Sequence, residues 1–292
     1  MRSLGSWLVA VVFVACGPER SGVAPGPDAP KPVTPPAEKP PAAPANAARH
    51  EGSGTVLDKR GVGPQLCLGG VAESLPPQCG GIPLVGWDWA KVDGEQTAGD
   101  TTWGQYRVVG TYDGQRLTPT EPPGPPRYVD EPFTFDPPCE QPAGGWSRPN
   151  PKKMTQADFD RANAAAQKMP GYAGLWMYNP DVKGERQDLA DIVLCVTFTG
   201  ELEKREADLR KLWGGALCVA RQAHSEAEIA AIRAKAEAKI QALGMGMLGS
   251  STDVVRGTIR VDVTVATAGQ LAALAREFGD VLVVSARLRP RP

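Results

Sequence analysis

Histidine is nearly missing from this chain: His50 and His224 are the only two in 292 residues. A Ser-His-Asp or Cys-His relay needs a positioned imidazole, and zinc sites draw on about four clustered Cys and His ligands. His50 stands at the end of a proline-rich stretch, and His224 directly precedes Ser225, the start of an expected helix. A surface position suffices for both. Net charge is also lacking. With 32 basic side chains against 33 acidic ones, the electrostatic footprint of a nucleic-acid binder is missing. Nor does the apolar run from Leu4 to Ala15 reach the roughly 20 residues that a membrane-crossing helix needs.

Other chemistries fail on context. Gly244-Met245-Gly246-Met247-Leu248-Gly249 matches GxGxxG, but a dinucleotide fingerprint follows a strand and opens a helix. Here the glycines close a helix and lead toward a strand, so Gly244 reads as a C-cap. Paired carboxylates could serve a glycosidase. Glu201, Glu203, Glu206 and Asp208 lie together on one charged helix, where a solvated face explains them. No catalytic, metal or cofactor site is expected.

What is present begins with an address. Met1-Arg2-Ser3, the short apolar run and Phe13-Val14-Ala15-Cys16-Gly17 have the form of an export signal. The break resembles the bacterial lipobox, with Phe13 in place of the usual Leu. The resemblance implies cleavage after residue 15 and acylation, with palmitate-type chains, of Cys16. An ordinary signal peptide with Cys16 incidental is the alternative. Two or more acyl chains suffice for stable anchoring, so the expected site is extracytoplasmic and membrane-anchored. Gly17 is not the Asp that would suggest inner-membrane retention, which favours the outer membrane if the cell has two. Residues 16–50 are dense in Pro and Ala without aromatic residues, and they read as a disordered, polyproline-biased tether.

The remaining length suits two small domains or one large one, and the expected class is α+β. Residues 51–150 predict a small antiparallel β domain, with an OB-like barrel as its closed form. Thr55–Leu57, Gln65–Leu68 and Gln105–Val109 are strand-like, and Asp113-Gly114 is a hairpin cue. A proline-rich connection follows. Residues 151–292 alternate helices and strands, with capping boxes at Thr155 and Ser225. The apolar stripe Ile229, Ile232, Ala236, Ile240, Leu243 and the alternation Ile259, Val261, Val263, Val265 predict a two-layer, ferredoxin-like sandwich.

Five cysteines remain once Cys16 is acylated, and in an exported protein they read as disulfide partners. Cys67 with Cys79, which flank a Pro/Gly-rich segment, is the first expected pair. Cys195 with Cys218, on neighbouring strand-like runs, is the second. Cys139 is left over, with pairing to Cys67 or Cys79 as an alternative.

Between and beyond Cys67 and Cys79 lies the candidate recognition surface: Leu75, Pro76 and Pro77 in a rigid loop, which reads equally as a structural staple for a small β domain with little core, then Trp87, Asp88 and Trp89. The two indoles around a carboxylate suit stacking on a carbohydrate or peptide. The reading the pattern favours, however, is that they alternate across a strand, one of them in the core and Asp88 on the opposite face. Leu66-Cys67-Leu68-Gly69, Ser74-Leu75-Pro76-Pro77-Gln78-Cys79 and Gly86-Trp87-Asp88-Trp89 together resemble a motif of uncharacterised exported proteins of high-GC bacteria, implying a shared domain and no known activity. Residues 256–292 are similar in pattern to the propeptides of secreted serine proteases. The expected function is a noncatalytic envelope module contacting another envelope protein or a wall polymer. A carboxylate-dependent hydrolase and a protease-regulating module are the rivals.

Overall fold

The computed structural model describes residues 48–128, 134–179 and 188–291. The signal segment, Cys16 and the tether as far as residue 47 lie outside the described residues. Arg49 and His50, expected at the tether's end, already belong to a strand. The described chain is α+β, with one antiparallel sheet and two mixed sheets that carry helices.

The first sheet contains β1 (Arg49–Lys59), β2 (Gly63–Cys67), β3 (Ile82–Pro83), β4 (Gln96–Ala98), β5 (Thr101–Tyr112) and β6 (Leu117–Pro119). β1 pairs with β5 along its whole length, from Arg49 opposite Thr111 to Lys59 opposite Thr101. On its other side it forms a hairpin with β2, which in turn pairs with β3. The β5–β6 hairpin turns at Asp113, whose carboxylate accepts the backbone N–H groups of Gln115 and Arg116. A parallel bridge between Leu84 and Leu117 then closes the ring, and Val85 N–H donates to the Leu117 carbonyl at 3.0 Å. The circular order β1-β2-β3-β6-β5-β1, with its one parallel contact, is the connectivity of an OB-type barrel. Val56, Leu66, Leu84, Tyr106, Val108 and Leu117 fill it.

Two glycines set the barrel's tightest approaches. A Cβ on Gly54 would lie 2.1 Å from the Cys67 carbonyl oxygen, and one on Gly110 2.2 Å from that of Thr118. Backbone cannot yield as a flexible side chain can, so Gly54→Ala is expected to destabilise the fold by about 1–3 kcal/mol. Urea unfolding should show a lowered midpoint with an unchanged slope. An unaltered midpoint would mean that β1 and β2 are not held at this spacing.

The rest of the chain repeats one pattern twice. First come α1 (Gln156–Ala166), β7 (Tyr172–Tyr178), β8 (Val193–Phe198), α2 (Leu202–Arg210) and β9 (Ala216–Arg221). Then come α3 (Glu226–Ala242), β10 (Met247–Asp253), β11 (Thr258–Val263), α4 (Ala268–Phe278) and β12 (Leu282–Ala286). In each set the first two strands are antiparallel and the third returns parallel beside the second. Capping boxes open α1, α3 and α4 at Thr155, Ser225 and Thr267. The expected helix-on-sheet layering is thus present and duplicated. A split βαβ unit leaves a slot for an intervening strand. Here β9 and β12 sit directly beside β8 and β11, so two three-stranded sheets form.

β8 is buried on both faces, which is why Val193-Leu194-Cys195-Val196-Thr197-Phe198 reads as a nearly unbroken apolar run. Leu194, Val196 and Phe198 meet α1, α2 and Trp213, while Val193 and Cys195 meet Trp176, Cys139 and Trp146. The proline-rich connection therefore covers the second face. Its Phe135 carbonyl accepts the Trp176 Nε1–H at 2.9 Å.

In the second unit, Ile259, Val261 and Val263 pack inward against the Ile229–Leu243 stripe as expected. Val265 packs against the barrel core instead. So does Leu288, which is fully buried, and β13 (Arg289–Pro290) then pairs with β1. The chain's last strand thereby joins the barrel sheet, and the two halves share a core.

Candidate functional site

The cysteines bear directly on the candidate surface. Cys67 and Cys79 are joined, closing the expected loop. The second expected pair is corrected: Cys218 is joined to Cys139, and Cys195 is free and buried. Cys195 and Cys218 stand directly opposite each other on parallel neighbours. Their Cα–Cβ bonds run side by side, which keeps the Cβ atoms near the strand spacing of about 4.8 Å. A disulfide needs about 3.5–4.5 Å. Cys139 approaches from above the sheet, free of that restriction. Burial pushes the Cys195 thiol up to about 12, so it holds no thiolate with which to act as a nucleophile.

Within the closed loop, Ala72 and Gln78 form an antiparallel bridge, and the Ser74 hydroxyl donates to the Pro76 carbonyl at 2.8 Å. The Leu75–Pro76 peptide is cis. Pro76 and Pro77 are half-buried, whereas Leu75 is 80% exposed at the tip. The apolar side chain is held outward by a frame of its own.

Trp87 and Trp89 do not alternate across a strand, which corrects that reading. Asp88 caps a short 3-10 helix, Trp89–Lys91, by accepting the Ala90 N–H. Both indoles turn toward the barrel and are half-buried against its core. The Trp87 ring centroid lies 5.5 Å from Trp89 and 5.2 Å from Tyr106. Trp89 Nε1–H donates to Asp58 at 2.9 Å, and the Tyr106 hydroxyl donates to the Asp93 carbonyl. Trp89 is therefore a fixed wall, and Trp87 together with Asp88 is what the surface offers.

These two line an open hollow of about 280 Å³ with Lys91, Thr120, Glu121 and the prolines around them. Lys91 Nζ is 3.2 Å from the Asp88 carboxylate. That contact, reinforced by the Ala90 N–H, holds the Asp88 carboxyl below its ordinary value. It stays ionised at neutral pH and is poorly suited to protonating a leaving group. Glu121 is held by Arg49 at 2.9 Å and by Arg291 at 3.2 Å.

The hollow thus brings together an indole, a fixed anion, a cation and a hydroxyl, a set suited to gripping a ligand. Among the described residues, no hydrogen bond, ion pair or ring contact joins Leu75–Pro77 to Trp87–Trp89. Lys91, Thr120 and Glu121 were not legible as site residues. Lys91 was one cation among many, and Thr120 and Glu121 begin a proline run that reads as a connection. Only the closure of β6 against β3 brings them to Trp87. Comparison of the chain with protein-family models and with curated proteins gives no match in either.

Proposed function

We propose that this chain is an envelope lipoprotein, anchored through Cys16, whose folded part binds a partner outside the cytoplasm without transforming it. The partner is a wall polymer or another envelope protein, engaged by the Trp87 hollow and the Leu75 loop. The observation that carries this reading is the pairing of Trp87 with an Asp88 whose charge Lys91 secures. An aromatic face beside a fixed ionic pair orients a ligand and offers no proton to it. The two disulfides fit an oxidising compartment. The outward Leu75, on a loop that needs little ordering on contact, fits a recognition role.

Photo-crosslinking in living cells tests the reading, with the probe replacing Leu75 or Pro122, which is exposed at the hollow, in the full-length chain. A reproducible adduct with one protein, or a ladder typical of wall polymer, is the expected result. No adduct from either position, with the protein correctly localised, would remove the proposal. The hydrolase alternative predicts something different, namely a wall- or peptide-hydrolysing activity abolished by Asp88→Asn. Cys16→Ser should release the protein from the membrane fraction.

A further inference from the structure

On another side of the barrel, a cleft runs between β1, the end of β2 and the open face of the β10–β11–β12 sheet. Its larger lobe, about 380 Å³, is lined by Ser53, Thr55, Gln105, Tyr128, Asp262 and Arg287, with the backbone of Gly54, Gly69 and Gly70 as floor. A second lobe of about 260 Å³ shares Ser53, Tyr128 and Arg287 and adds Glu51, Gly52, Arg127 and Arg289. We infer that this cleft is a binding site for an acidic saccharide, with the acid group held by Arg127 and Arg289 and the hydroxyl groups by the polar wall of the larger lobe.

The charge balance carries the first half of the assignment. Three arginines line the smaller lobe, Arg127, Arg287 and Arg289, and Arg107, Arg291 and Arg49 are linked to it through ion pairs with Glu51 and Glu121. Among the described residues they face three carboxylates, Glu51, Glu121 and Asp262. All three carboxylates are already engaged: Glu51 by Arg107 and Arg291, Glu121 by Arg49 and Arg291, and Asp262 by Arg287. Arg127 and Arg289, both exposed, form no ion pair among the described residues. A chain with a net charge of −1 thus concentrates positive charge at one concave place, where converging field lines attract anions. Guanidinium groups grip carboxylates with two parallel bonds.

The larger lobe carries the second half. Gln105 donates to the Thr55 hydroxyl at 2.8 Å and accepts from the Tyr128 hydroxyl at 2.5 Å, which fixes its amide plane. Ser53 accepts the Arg127 N–H at 2.9 Å, which leaves its own hydroxyl proton to donate. Asp262 and Arg287, 2.8 Å apart, set an acceptor beside a donor fork. Planar polar groups, hydroxyls and a 58% exposed tyrosine ring at the rim match a polyhydroxylated ring better than an apolar ligand. Glu121 lines the Trp87 hollow and reaches this cleft only through Arg291, which also pairs with Glu51. Arg127 and Arg289, which hold the acid group, are no part of the hollow, so their double variant tests this site alone.

Calorimetric titration of the full-length protein in detergent micelles with trigalacturonate, maltotriose and inorganic phosphate tests the inference. Trigalacturonate should bind, and raised salt should weaken it. Maltotriose, which lacks the acid groups, should not bind at about 1 mM. The double variant Arg127→Gln/Arg289→Gln should lose about tenfold or more in affinity with its melting temperature unchanged. Equal binding of maltotriose, or full binding by the double variant, would overturn the assignment. So would silence toward trigalacturonate up to about 10 mM. Binding of phosphate alone would overturn the saccharide assignment and leave a bare oxyanion site. The salt dependence and the maltotriose comparison need no variant, so they decide even if a substitution disturbs folding.

Discussion

Trp213→Ala is expected to destabilise the protein by about 3–5 kcal/mol, the range for truncating a fully buried tryptophan. Trp213 follows α2 and is the largest fully buried side chain among the described residues. It packs with Phe159 of α1 at 6.4 Å between ring centroids, and with Leu209 and Leu217 in the same cluster. Its Nε1–H donates to the Ala216 carbonyl at 2.9 Å, so the ring also ties the end of α2 to the start of β9. Gly215 is part of the same device, since a Cβ there would lie 2.6 Å from the indole. Domains are stable by only about 5–15 kcal/mol in total, so the loss would take a large share. Trp213→Phe should cost less, because it keeps most of the volume, and what it does cost includes the lost hydrogen bond to Ala216. Chemical denaturation of both variants decides the matter. A loss under about 1 kcal/mol for the alanine variant would mean that the indole is not packed as described.

Removing Cys139 should cost a comparable amount by a different route. The Cys139–Cys218 bridge spans 79 residues, and a loop of that length constrains the unfolded chain by about 4–5 kcal/mol in the entropic account. Cys139→Ser is therefore expected to lower the melting temperature by roughly 8–20 °C, at about 2–4 °C per kcal/mol for a chain of this size. Cys195→Ala should be far milder, because it breaks no cross-link. Non-reducing peptide mapping supplies the independent check: Cys139 should be found with Cys218. Recovery of Cys195 bonded to Cys218 would overturn the pairing and with it the ranking of these two variants.

The connection that carries Cys139 shows where reading the chain runs out. Its prolines mark it as irregular, and it is. Nothing local says that Phe135, Cys139 and Trp146 lie over a sheet face. The unbroken apolar run of β8 was the available clue, because a strand apolar on both sides needs two covers. β10 escaped notice for the opposite reason. Met247-Leu248-Gly249-Ser250-Ser251-Thr252-Asp253 is an edge strand with little to bury, so it has no strong alternation.

The local devices of this protein are legible in its residues. Capping boxes at Thr155 and Ser225 start their helices, Asp113-Gly114 turns the β5–β6 hairpin, and the stripe on α3 and the alternation in β11 meet face to face. Each depends on residues a few positions apart, whose contacts follow from helix and strand geometry alone. Only the tertiary structure decided which cysteine Cys218 takes, that Leu288 and β13 complete the barrel, and that Trp87 shares a hollow with Thr120 and Glu121. The arginine-lined cleft was decided there too, since it joins residues from Ser53 to Arg289. Such contacts depend on how sheets close and stack, a property of the whole chain that no short window of residues encodes.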